Sequence, residues 1–197
     1  HLSIRRQRQM CIRDRNSTFG GCEIAYTVYD PAGNVVAHIC NYDPGAQAAP
    51  TTAAEAEALY DSQYPDKNQV TTHEYDALGR RVATTVHAGS AFAQTSLTFY
   101  DALDRVKRTI ANYVEQGTPA TAPGDWVWTN DQWEDGSSNA ISHGSENNQN
   151  VISDTEYNDL GQVRLRRDVL GNVTLYGYDV AGRLVKTIRS ASDPTYF

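Results

Sequence analysis

Long apolar runs, basic charge and cysteine are all scarce in this chain, and each scarcity removes a class of function. The longest apolar runs are only a few residues, so no segment can cross a bilayer as a helix. Three cysteines in 197 residues cannot build a disulfide framework. Cys11 stands apart near the N-terminus. Cys22 and Cys40 are expected to be free thiols, the alternative being one bridge between adjacent strands. Catalytic signatures are missing too. His38, His73, His87 and His143 lie far apart, with no H-E-x-x-H, C-x-x-C, G-x-S-x-G or phosphate loop around them. The acids do not fall into calcium-loop spacing. Asp154 and Glu156 could pair as acids, but in a strand they read more simply as a solvated face. The expectation is a protein without catalysis, metal or cofactor.

Basic residues are concentrated where they look foreign. Residues 1–15, "HLSIRRQRQMCIRDR", hold five Arg, one Asp and the only Met, a net charge of +4. The whole chain carries −7, so the remainder carries −11. A body this acidic repels nucleic acid and anionic membranes. The string "RQMCIRDR" is similar to translated sequencing-adapter DNA, and residues 1–15 read as a non-native segment. The alternative is a basic arm for nucleic acid or lipid. The abrupt change of style at Asn16 favours the first reading.

What is abundant is tyrosine, twelve against four phenylalanines, in a chain that is 40% hydrophobic and so not of disordered composition. Several tyrosines precede the same short frame, D-x-x-G. It stands at Tyr29-Asp30 with Gly33, at Tyr75-Asp76 with Gly79, and at Tyr178-Asp179 with Gly182. Tyr157-Asn158 with Gly161 carries Asn for Asp, and Asp168 with Gly171 lacks the tyrosine. Tyr100-Asp101 carries Asp104 where glycine is expected, and "YDPG" at Tyr42 is a truncated copy. Asp at the first position of a type I turn caps backbone N–H groups two residues on. Gly at the fourth supplies the left-handed conformation that closes the turn with a bulge. Asp104 tolerates that conformation at a cost.

The spacing predicts architecture. From Asn158 to Asp168 is ten residues and from Asp168 to Asp179 eleven, leaving six or seven for a strand after each turn. An all-β antiparallel meander follows, with two strands per Tyr-Asp repeat. Repeat steps of 46, 25 and 57 residues elsewhere predict insertions at about 44–70 and 115–150.

The stretch Gly171–Leu184, "GNVTLYGYDVAGRL", is complete for the pattern G-N-x-T-x-Y-x-Y-D-x-x-G-R-L, including Asn172, Tyr176 and Arg183. It resembles the YD repeats of the RHS family, and shorter copies extend the resemblance discontinuously over about residues 25–190. Bacterial RHS proteins, the cocoon-forming component of insecticidal Tc toxins and the teneurins share such repeats. The resemblance implies a spiralling β-shell that in bacterial members commonly encloses a C-terminal toxin. It implies partners in the remainder of the same polypeptide and its cargo, and a secreted or cell-surface location. The aspartate-bearing self-cleavage segment of some members is not found before Phe197.

Two insertions carry their own expectations. "TTAAEAEALYDS", residues 51–62, reads as a helix opened by a capping box of Thr52 and Glu55, packed on the sheet rather than docking a partner. Trp126, Trp128 and Trp133 fall in the second insertion. They would form a glycan-stacking platform if exposed, and a cover for a hydrophobic patch if buried. The cover is the expected outcome, and carbohydrate binding at a cell surface is the alternative function. Asn16 and Asn172 match the glycosylation pattern, but Asn172 belongs to the repeat.

Overall fold

Antiparallel strands joined in chain order make up nearly all of the regular structure, as the turn spacing predicts. The computed structural model describes residues 10–12, 23–45, 48–115, 122–129, 132–135, 137–141 and 148–190. The chain divides into two compact units, residues 1–95 and 96–197. In the first, β1 (Met10–Ile12), β2 (Glu23–Tyr29), β3 (Val35–Cys40), β4 (Gln69–Tyr75) and β5 (Arg81–Val86) lie side by side. β6 (Gln94–Tyr100) spans the division. In the second unit β7 (Val106–Tyr113) is followed by a separate ribbon of β8 (Val127–Thr129) and β9 (Gln132–Glu134). The sheet then resumes with β10 (Val151–Tyr157), β11 (Val163–Arg167), β12 (Val173–Tyr178) and β13 (Leu184–Ser190).

Each unit buries one sheet face, because side chains alternate along a strand and directly opposed residues share a side. Val28 faces Ala37 and Ile39 faces Val70 in the first unit; Ile110 faces Ile152 and Leu165 faces Leu175 in the second. All eight are buried. A fully buried side chain of this size contributes about 1.5–3 kcal/mol.

The insertions supply the covers. α1 (Ala53–Glu57) places fully buried Ala56 against Val28, Ile39 and Val70. It is shorter than the 51–62 expected. Asp61 stops it by turning the chain, accepting from Gln63 N–H through its carboxylate and from Tyr64 N–H through its carbonyl. The capping box is also half formed. Thr52 accepts from Glu55 N–H, but the Glu55 carboxylate reaches back to the N–H of Thr51 rather than that of Thr52.

Both insertions leave and rejoin the sheet through a matched pair of asparagines. Asn41 and Asn68 bracket the first, Asn112 and Asn150 the second, and all four have φ between 48° and 50°. The bonds are the same in both pairs. Asn68 N–H donates to Asn41 C=O and Asn150 N–H to Asn112 C=O. The Asn41 and Asn112 amides donate to the carbonyls of Asp66 and Asn148, two residues before the partner asparagine. The Asn68 and Asn150 side chains accept from the N–H groups of Asp43 and Val114, two residues after the partner. Asparagine is suited to this work, since it tolerates the left-handed conformation and brings a donor and an acceptor.

Met10–Ile12 runs antiparallel beside Glu23–Ala25. The rest of residues 1–15, and Cys22 and Asn16, lie outside the described residues. Cys40 is a free thiol.

Candidate functional site

Among the described residues the repeated turn is one device built seven times. At Asp30, Asp76, Asp101, Asn158, Asp168 and Asp179 the N–H of the fourth residue donates to the first residue's carbonyl at 2.9–3.2 Å, and the first residue's N–H donates to the fifth residue's carbonyl. The fourth residue has positive φ throughout, 77–91° at Gly33, Gly79, Gly161, Gly171 and Gly182, and 62° at Asp104. Strand register shifts beside Tyr29, Tyr75, Tyr157 and Tyr178, the bulge that such a turn demands. The seventh copy lies in "NDQWEDGSS", a stretch that reads as a turn but not as a D-x-x-G frame. Asp135 makes the same bonds with Ser138 (φ 62°) and Asn139, and serine in the left-handed position conceals it.

The fifth residue completes the device. Asn34, Arg80, Arg105, Asn139, Asn172 and Arg183 each direct a side-chain N–H onto the carboxylate that opens their own turn. Where that group is neutral, at Asn158, the direction reverses, and its amide donates to the Gln162 side-chain oxygen at 2.9 Å. Of these partners only Asn172 and Arg183 had been singled out by motif. The signal was available, because the residue after the glycine is always a long or amide donor.

These bonds depress the carboxyl pKa values of Asp30, Asp76, Asp101 and Asp179. The side chains of Arg80 and Arg105 hold Asp76 and Asp101 below the ordinary 3.8, and the Asn34 amide does so for Asp30. For Asp179 the Arg183 backbone N–H acts first and its guanidinium second. Depressed folded values mean that the turns contribute fully above the unfolded pKa and lose that contribution as pH falls through the folded one. The natural Asn158–Gln162 pair suggests the test. Asp76→Asn alone should lower the melting temperature at pH 7, since an amide cannot hold Arg80 as a carboxylate does. Asp76→Asn with Arg80→Gln should recover most of the loss and flatten the decline between pH 5 and 3. A double variant no better than the single one would refute the pairing.

The tyrosines answer for the step between repeats. Tyr75 donates its hydroxyl to the Val35 carbonyl, Tyr157 to that of Val106, and Tyr178 to that of Val163, at 2.9, 2.9 and 3.0 Å. Each acceptor stands six residues after the previous repeat's tyrosine, at the first position of its strand. Each tyrosine therefore latches the turn before it. In the second unit the links multiply, with Arg105 stacked 4.3 Å over the Tyr157 ring and Gln162 donating to the Gly182 carbonyl. Tyr100 ends β6, and Tyr176 lies in β12 opposite Thr187.

The tryptophans form a lid. Trp126 and Trp133 are 1% exposed and pack with Ile110, Ile141 and Ile152. Trp128 is half-buried, edge-on to Trp133 at 5.6 Å. Trp133 donates its indole N–H to the Val169 carbonyl, which seats the ribbon on the Asp168–Gly171 turn. A sugar platform needs open ring faces, and Trp126 and Trp133 present none. Under the lid Arg108 makes a two-pronged pair with Asp154 at 2.6 and 2.7 Å and donates to the Pro123 carbonyl. Glu156 takes Arg164 instead, so the two carboxylates do not act as an acid pair.

Of the histidines, His38 and His73 meet Thr27 and Thr84 across strands. His87 occupies a left-handed turn position, and His143 lies outside the described residues. Among the described residues no group of His, Cys, Asp or Glu could hold a metal ion, and no helix is long and apolar enough to cross a membrane.

Residues 157–194, which hold three of these turns, match the family model "RHS Repeat". This stretch is an RHS repeat. The same turn recurs at Asp30, Asp76 and Asp101, and the same tyrosine latch at Tyr75 and Tyr157. No curated protein matches the chain. Among solved structures it is similar to the Tc holotoxin pore of Photorhabdus luminescens, at 12% identity and a TM-score of 0.35, over 87% of this chain and 8% of that one. It is also similar to a TcdB2–TccC3–Cdc42 complex, at 12% identity and a TM-score of 0.33, over 85% of this chain and 8% of that one.

Proposed function

We propose that this RHS-repeat chain is a length of wall, and that the wall encloses or presents another part of a longer polypeptide, such as a secreted toxin. The observation that supports this is the latched turn. The turns close on themselves through the fifth residue, and Tyr75, Tyr157 and Tyr178 tie their repeats to a preceding turn, so strands can be added by one recurring device. A wall of this kind acts by containment. Its paired strands leave no open backbone groups between them, and its work is mechanical rather than catalytic. The partners are the remainder of the same polypeptide and its cargo, in a secreted or cell-surface setting.

Limited proteolysis of the full-length parent polypeptide tests the proposal. The segment following the repeats should resist digestion in the intact protein and become cleavable when Asp76→Ala and Asp179→Ala together loosen the wall. Equal digestion in both proteins would overturn containment.

A further inference from the structure

We infer that the face of the second unit's sheet turned away from its core binds an extended acidic peptide, laid across the strands on a row of Lys107, Arg166 and Arg189. The inference does not depend on what the wall encloses. It begins with strand alternation. Leu165, Val173, Leu175 and Ile188 lie on the core side of β11, β12 and β13, so Arg166, Thr174 and Arg189 lie on the other. The registers put these residues in one line. Thr155 of β10 stands opposite Arg166 of β11, Arg166 opposite Thr174 of β12, and Thr174 opposite Arg189 of β13. The pairing of Asp154 with Arg108, continued by one residue, brings Lys107 of β7 beside Thr155 in the same line. The order across the strands is cation, hydroxyl, cation, hydroxyl, cation.

Two features set this row apart from an ordinary solvated face. The chain has 24 acidic residues against 17 basic ones, yet no described strand position on this face of β7 and β10–β13 holds Asp or Glu. Asp154 and Glu156 alternate to the core side, and Glu156 draws over only Arg164. Lys107, Arg166 and Arg189 are exposed, and among the described residues none of the three makes a hydrogen bond or ion pair.

Spacing selects the partner. Neighbouring strands lie about 4.8 Å apart, so the cations recur every ~9.6 Å along a row of ~19 Å. A polyproline II chain advances about 3.1 Å per residue, so every third side chain returns to one side after ~9.3 Å. An acidic residue at every third position therefore meets each cation in turn. Thr155 and Thr174 offer hydroxyls to the peptide groups between. Duplex DNA fits this charge poorly. It presents a phosphate about every 1.7 Å of axis, roughly eleven along the row, and the surplus would face a protein of net charge −7.

Fluorescence anisotropy on the full chain tests this, with a labelled peptide of three Asp-Pro-Pro units. Salt is held at about 10 mM, where the Debye length of about 30 Å exceeds the row. A comparison peptide has the same composition with its three Asp adjacent. The spaced peptide should bind roughly fourfold or more tightly, since adjacent carboxylates reach one cation at a time. Arg166→Gln should weaken its binding by roughly twofold to fivefold, the worth of one exposed ion pair, and adding Arg189→Gln should repeat the loss. Neither change should move the melting temperature. Lys186 lies on the same side of β13 as Ile188, so Lys186→Gln removes an equal charge from the other face and should leave the affinity unchanged. No binding, equal binding of the two peptides, equal weakening by Lys186→Gln, or displacement of the peptide by duplex DNA at equal concentration overturns the inference.

Discussion

Gly171→Ala is expected to cost roughly 2–5 kcal/mol, while the same change at Gly79 should cost about 1–2 kcal/mol. The two glycines have nearly the same backbone, with φ of 78° and 77°. Both would charge alanine the penalty of left-handed geometry. They differ in what lies outside. A Cβ at Gly79 meets nothing within 4 Å, whereas one at Gly171 would lie 2.0 Å from the Trp128 ring. Relief requires the ribbon to lift, and that would pull Trp133 from the Val169 carbonyl and open the core above Ile110 and Ile152. Chemical denaturation of both variants beside the parent, with tryptophan emission as the probe, separates the contributions. Equal losses at the two sites would mean that the lid yields freely and is no part of the core.

Asp154→Ala should be comparably severe, at roughly 3–5 kcal/mol, because it strands a buried guanidinium. The Arg108 side chain is 9% exposed and that of Asp154 15%. The Pro123 carbonyl and the Trp133 ring, 5.1 Å away, cannot replace a carboxylate. Replacing both residues together, Arg108→Met with Asp154→Leu, should be close to neutral, since the charges and their desolvation disappear together. Thermal melts of the single and double variants decide this. A double variant as damaged as the single one would show that the pair is needed for shape and not for charge balance.

How far the fold could be read in advance follows from where its constraints lie. Asp76 and Gly79 stand three positions apart in sequence and each is a poor choice for a regular strand, so their turn announces itself. Arg80 and Gln162 are ordinary strand residues by type, and only the turn's geometry turns them back onto Asp76 and Asn158. Ser138 hides the repeat frame of a turn otherwise legible in "NDQWEDGSS", because the left-handed position usually advertises itself with glycine. The asparagine pairs were invisible because Asn41 and Asn68 are neighbours only after the insertion has folded. Helix length was overestimated at 51–62 because propensity counted Ala58 and Leu59 but not the turn at Asp61. The tryptophans were ambiguous in principle, since an indole serves a sugar or a core equally well. Only the burial of Trp126 and Trp133 separates the two uses.

The paired asparagines make the two excursions independent of their content. The pairs join chain ends across 26 residues in one case and 37 in the other. For a flexible loop the entropy of closing these two lengths differs by only about 0.3 kcal/mol, because it grows as the logarithm of length. Selection acting on such a port sees almost no penalty for lengthening, shortening or exchanging what hangs from it. A helix occupies one port and a tryptophan ribbon the other. The sheet beneath is thereby released from the history of its own decorations.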